Sequence, residues 1–176
     1  MAGASEVRCP ALAGKDLRYG FVIMRNHGNE PIILDTVELV DPAPEIKLVK
    51  SEAAGPRRRL DLPGGSRPIL GVPCDPGWPE PVSPLTDLHE LADYPVMPIS
   101  TPAGKRGVEL IVSLRVESPG RYRVRGLKVT YSISPSRSVG ALDDLLRDLR
   151  WSATFGPKLL VCVTKKVTRS CTSDPS

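Results

Sequence analysis

The sequence predicts an all-β fold, an antiparallel sandwich that carries one short helical insertion and one long proline-rich loop. Three observations lead there. From residue 107 to 133 apolar and polar side chains alternate. Val108, Leu110, Val112, Leu114 and Val116 stand against Glu109, Ser113, Arg115 and Glu117. Tyr122 and Val124 stand against Arg121, Arg123 and Arg125, and Leu127, Val129, Tyr131 and Ile133 against Lys128, Thr130 and Ser132. A period of two places one face in a core and the other in water, as in antiparallel sheets, and only Ile111 breaks it. Nineteen prolines and fifteen glycines punctuate such runs without forming a repeat. A helical period shows at Leu142, Leu145, Leu146 and Leu149.

Residues 1–16 read as an N-terminal segment, 17–167 as one domain and 168–176 as a frayed tail. Residues 18–25 form the first clear strand, with Tyr19, Phe21 and Ile23 on one face. Asn26-His27-Gly28-Asn29 tolerates positive φ and reads as a hairpin-type connection. Residues 31–40 give a second strand, which Asp35-Thr36 interrupts in the manner of a bulge. After Asp41-Pro42-Ala43-Pro44, residues 45–50 give a short third strand, 51–68 a polar loop and 69–72 a brief strand. Residues 73–104 hold eight prolines, each fixing φ and removing a donor, so little regular structure is expected beyond a helical turn or two at 86–92. Residues 107–117 then pair with 120–133 across Ser118-Pro119-Gly120. Residues 138–151 form a helix capped by Ser138 or Gly140, with Asp143 and Arg147 pairing on its wet face and its leucines covering an open end or edge of the sandwich, a partner-binding helix being the alternative. Residues 152–155 and 158–165 complete the sheets. The expected core is Phe21, Ile23, Val37, Leu110, Val112, Leu114, Leu127, Val129 and Val161.

The charge balance is mildly basic, with net charge +4 and pI near 9.0. Arg57-Arg58-Arg59 and Lys165-Lys166 read as solvated loops, and the arginines at 121, 123 and 125 as the wet side of a sheet. Aromatics make up 5% and do not interleave with basic residues, so no nucleic-acid partner is expected. No run of about eighteen apolar residues occurs, so no membrane span is expected in this chain. The small-x-small spacing of residues 1–5 fits the stub of a removed export segment as well as it fits a plain polar terminus.

The four cysteines, Cys9, Cys74, Cys162 and Cys171, lie far apart and in no CxxC spacing. That suits disulfides in an oxidising compartment better than zinc, against the alternative of four reduced buried thiols. Four cysteines allow three pairings, all open from sequence.

A search for chemistry yields no catalytic, cofactor-binding or metal site. His27 sits in a turn. Met24, Met97, His27 and His89 would make a soft copper site only by coincidence of the fold. Asp87, Glu90 and Asp93 around His89 are ordinary acidic residues of an exposed loop. Pro63-Gly64-Gly65-Ser66 lacks the Lys and following helix of a phosphate loop, and no Gly-x-Ser-x-Gly occurs. Large side chains on a proline-stiffened loop bind with little ordering cost, so Trp78, Tyr94 and Met97 are the candidate partner-binding residues.

The order Gly20-Phe21, Arg25-Asn26-x-Gly28-Asn29-x-Pro31 and Leu34-Asp35-x-Val37-x-Leu39 resembles the opening of poorly characterised immunoglobulin-like (Ig-like) domains of actinobacterial envelope proteins. Pro119-Gly120-x-Tyr122-x-Val124-x-Gly126-Leu127-x-Val129-x-Tyr131, followed by Leu160-Val161-Cys162, is similar to their closing strands. These motifs cover about a third of the chain. The family has a short hairpin where this chain places residues 138–151. The resemblance implies an Ig-like sandwich and an export segment, and no catalytic residues. Tyr122, just past a Pro-Gly turn, is placed like the tyrosine corner of such domains. The expectation is a non-catalytic, extracytoplasmic binding or spacer module, secreted or membrane-associated, with a protein or envelope partner. The alternative is a cytosolic enzyme or regulatory domain with its site in residues 73–104.

Overall fold

A computed structural model describes residues 6–55, 60–62, 65–67, 88–134, 149–156 and 158–165. They form strands β1 (Glu6–Leu12), β2 (Asp16–Met24), β3 (Ile32–Val40), β4 (Ile46–Ala54), β5 (Leu60–Leu62), β6 (Gly65–Arg67), β7 (Leu88–Glu90), β8 (Pro95–Val96), β9 (Val108–Val116), β10 (Gly120–Val124), β11 (Gly126–Ile133), β12 (Trp151–Phe155) and β13 (Lys158–Thr164), with a 3₁₀ turn at Gly104–Arg106. One antiparallel sheet has the order β2-β9-β4-β7 and another β12-β11-β3-β8. A third, β1-β13-β10, pairs β1 with β13 in parallel, and β5 and β6 make a small hairpin.

The second and third sheets share one bent hairpin, half of it in each. Val124 pairs with Leu159 and Leu127 with Phe155, so the β10–β11 run lies along β12–β13 on both sides of a break at Gly126 and Gly156. Gly126 sits at φ 156°, and a Cβ there would stand 2.8 Å from the Phe155 carbonyl oxygen, so the bend needs glycine. All three sheets turn apolar faces into one core built around Cys9, Tyr19, Leu34, Val37, Leu110, Val112, Leu114, Val129 and Val161.

β9 shows why its alternation fails at Ile111. Val108, Leu110, Val112, Leu114 and Val116 enter the main core. On the other face Ile111 is 0% exposed in a second cluster with Ala54 and Leu88, and Glu109 and Ser113 are each 5% exposed. This sheet is therefore covered on both sides along part of its length. Glu109 and Ser113, expected in water, are buried.

Several expectations change for physical reasons. β9 and β10 do not pair; the 118–120 turn carries the chain from one layer to the other, and so does the 25–31 connection, which is not a hairpin. The bulge expected at Asp35-Thr36 is present, since Thr36 pairs with Thr130 and Leu34 with Tyr131, which skips Asp35. A second bulge, between Tyr19 and Val22, resets the faces of β2. Tyr19, Val22 and Met24 oppose the core residues Val112, Leu110 and Val108, while Ile23 opposes Glu109 and is only partly buried. The Phe21 side chain lies outside the described residues. Residues 6–12, read as a terminal segment, form a strand closing one sheet edge. β4 runs on to Ala54 because its second half has both β9 and β7 to pair with. Residues 88–90 are strand rather than helix, and the second half of the proline-rich segment is ordered by backbone pairing despite its prolines. Residues 69–72, 73–87 and 135–148, with most of the expected helix, lie outside the described residues. Its last residues are not helical: Leu149 and Arg150 are irregular and Trp151 is already in β12.

Candidate binding surface at the β12 margin

Exposed large apolar side chains among the described residues are Val49, Leu149 and Trp151, at 46%, 43% and 46%. Leu149 and Trp151 stand together at the start of β12. Trp151 pairs with Tyr131, Tyr131 with Leu34, and the Leu34 N–H donates to the Tyr94 carbonyl at 3.0 Å. Trp151 and Tyr94 therefore end one register row across the sheet, three interstrand spacings or about 14 Å apart. Leu34 is buried, Tyr131 and Tyr94 are partly buried against the core, and Trp151 projects most. Arg150 Nε donates to Asp35 Oδ2 at 3.1 Å, which uses the residue extruded by the β3 bulge to hold the chain entering β12.

The rest of this end is fixed by the backbone. Asn26 is buried, and its Nδ2 donates to the carbonyls of Glu30 at 2.7 Å and Val96 at 3.0 Å while its Oδ1 accepts the Gly28 N–H at 2.9 Å. The Ser134 N–H reaches the Pro31 carbonyl at 2.8 Å and the Ile99 N–H the Asn26 carbonyl at 2.8 Å. Gly107, at φ 73°, brings its backbone so close to the Met24 carbonyl that a Cβ would sit at 2.6 Å. Apolar side chains on a frame ordered this way lose little entropy on binding.

Of the three residues chosen from sequence, Trp78 lies outside the described residues. Tyr94 is partly buried, with its ring centroid 5.2 Å from that of His89, and Met97 is also partly exposed. Sequence reasoning missed Trp151 as a surface residue. The usable signal was its place at the start of an uncharged, proline-free strand. Leu149, expected to cover the sandwich, is exposed instead.

Elsewhere the described surface carries several charge pairs. The arginine face behaves as a wet sheet face, with Arg123 Nε 3.7 Å from Glu6 and Arg125 Nη1 3.1 Å from Asp41. The outer face of β4 holds Glu52, 5% exposed, whose Oε1 accepts Lys50 Nζ at 2.6 Å with Arg18 Nη2 3.9 Å from its other oxygen. Arg115 Nε on Asp16 Oδ1 at 2.6 Å holds the Asp16 carboxyl below its ordinary value. Burial pushes the Tyr19 hydroxyl up to about 12. Among the described residues, no three His, Cys, Asp or Glu side chains group as a metal site and no helix is long and apolar enough to cross a membrane. His27, His89, Glu90 and Asp93 are exposed, and Asp87, the 57–59 arginines and 63–64 lie outside the described residues.

Cys9 and Cys162 are both disulfide-bonded, while Cys74 and Cys171 lie outside the described residues. Cys9 pairs in register with Val161, and both face the core. Cys162, the next residue along β13, projects from the opposite face. A Cys9–Cys162 bond is thereby excluded.

No protein-family model, curated protein or solved structure matches this chain.

Proposed function

We propose that this chain is a non-catalytic Ig-like binding module that acts outside the cytoplasm, secreted or held at the cell envelope. The strand order supports the Ig-like reading. Count β10–β11 and β12–β13 as one bent strand each and set the short strands β5 to β8 aside, and seven strands remain. The second, fifth and fourth adjoin in one layer, and the third, sixth and seventh in the other, which is the Greek-key order of Ig-type sandwiches. Tyr122 lies at the start of the sixth strand, and its hydroxyl donates to the carbonyls of Ser118 at 3.1 Å and Pro119 at 3.3 Å, as a tyrosine corner does. The likeness is architectural: β2, β3 and β10 carry none of the Cys and Trp residues of antibody domains.

The observation that carries the binding role is the pair Leu149 and Trp151, exposed at the margin of a strand held by Arg150–Asp35. Tyr94 and Met97 border the same end. Trp is among the residues that dominate interface energetics. The bonded state of Cys9 and Cys162 supports an oxidising compartment.

Fractionating the native cells under thiol-alkylating lysis tests the reading. The chain is expected in the envelope or medium fraction with Cys9 and Cys162 unalkylated. Recovery from cytosol with both alkylated would overturn it.

A further inference from the structure

We propose that β12 is a homodimerisation edge, at which two copies of this chain pair their β12 strands antiparallel across a twofold axis. This names a partner for the surface above and rests on that reading.

The first observation is an open edge. Among the described residues β12 has one neighbour, β11, whereas β13, the other half of the same bent strand, lies between β1 and β10. An edge strand presents unpaired N–H and C=O groups, and proteins blunt such edges with Lys, Pro or bulges. Trp151-Ser152-Ala153-Thr154-Phe155 has no charge and no proline, and its register with β11 is unbroken. Trp151, Ser152 and Thr154 are exposed.

The second observation says what fits the edge. By chemical class the strand reads the same from both ends: aromatic, hydroxyl, small, hydroxyl, aromatic. A twofold through Ala153 sets Trp151 against Phe155 of the second copy, and Ser152 against its Thr154. Aromatic pairs then share one face and hydroxyl pairs the other, both favourable cross-strand combinations, while the small Ala153 occupies the axis. An isologous contact needs this self-complementarity. Leu149, exposed two residues before the strand, extends the apolar contact beyond it. Arg150, the nearest charge, is neutralised by Asp35.

Five paired residues and the flanking Leu149 of each copy bury less than a standard interface of about 1,600 Å², so the dimer is weak and concentration-dependent, micromolar or weaker.

Sedimentation or light scattering of the full chain from about 1 to about 500 µM spans that range. The mass is expected to rise from 19.0 kDa towards twice that value. S152K/T154K sets ammonium groups opposite one another across the axis and is expected to weaken dimerisation at least tenfold, as S152E/T154E is through its carboxylates. An equimolar mixture of the two is expected to restore a dimer. Both positions are exposed, and circular dichroism checks that each variant folds. A wild-type mass that stays at the monomer value, or charge variants that dimerise like wild type, overturns the proposal. If the lysine variant does not fold, the wild-type series and the glutamate variant still decide. A monomeric chain recovered from the envelope with Cys9 and Cys162 oxidised would refute the dimer and leave the extracytoplasmic reading standing.

Discussion

Replacing Ile111 by Ala tests whether β9 is buried on both faces. Ile111 is 0% exposed and its described cluster partners are Ala54 and Leu88. Both partners sit on strands paired into the same sheet, which limits how far they can collapse into the space left behind. Ile→Ala in a core costs about 2–5 kcal/mol, made of lost transfer free energy and a residual cavity, and a site that cannot relax belongs around or above about 3 kcal/mol. In a chain of this size that lowers the melting temperature by about 6–12 °C. The assay is urea and thermal unfolding by circular dichroism with disulfides kept oxidised, beside Val112→Ala as the main-core reference. Val112→Ala is expected to cost about 1–3 kcal/mol. A loss within about 0.5 kcal/mol for Ile111→Ala, the range of surface positions, alongside a normal loss for Val112→Ala would refute burial of the second face.

Three further outcomes are expected. Tyr122→Phe removes the hydroxyl bonds to Ser118 and Pro119 and should lower stability by about 0.5–1.5 kcal/mol; an unchanged denaturation midpoint would remove the tyrosine corner. Because the Tyr19 hydroxyl is raised from 10.0 to about 12 in the folded chain, its contribution is intact below pH 10 and declines as pH rises towards 12, where the unfolded chain has lost the proton and the folded chain has not. Tyr19→Phe should abolish that part of the alkaline loss, measured by unfolding at a series of pH values. Non-reduced peptide mapping should show neither a Cys9–Cys162 bond nor a free thiol at either residue, and finding either would contradict the opposite-face placement or the bonded state.

Sequence periodicity revealed the strands whose two faces differ. Leu114 and Val129 were legible as core because both of their sequence neighbours are polar, and Asp35-Thr36 was legible as a bulge because it interrupts an apolar run. Layer assignment was not legible, since a Pro-Gly turn between β9 and β10 looks alike whether it joins two strands of one sheet or crosses to the other. Ile23 was misplaced because the bulge before Val22 shifts the period by one residue, and nothing in Gly20-Phe21 announces it. β1 was missed because Arg8 and Pro10 disguise a strand whose core face is carried by Val7, Cys9 and Ala11. In the candidate surface, Tyr94 and Met97 were legible as large residues on a stiff loop. Trp151 was not, because its exposure follows from β12 being a sheet edge, which is a property of topology.

Amide hydrogen exchange along β12, measured at low and high chain concentration, tests the central claim that this strand is the open working edge of the sandwich. Alternate amides of Trp151–Phe155 are expected to exchange fast in dilute solution and to gain protection as concentration rises, while those of β11 stay slow throughout. Protection of β12 that is already complete in dilute solution, or exchange that never changes with concentration, would contradict it.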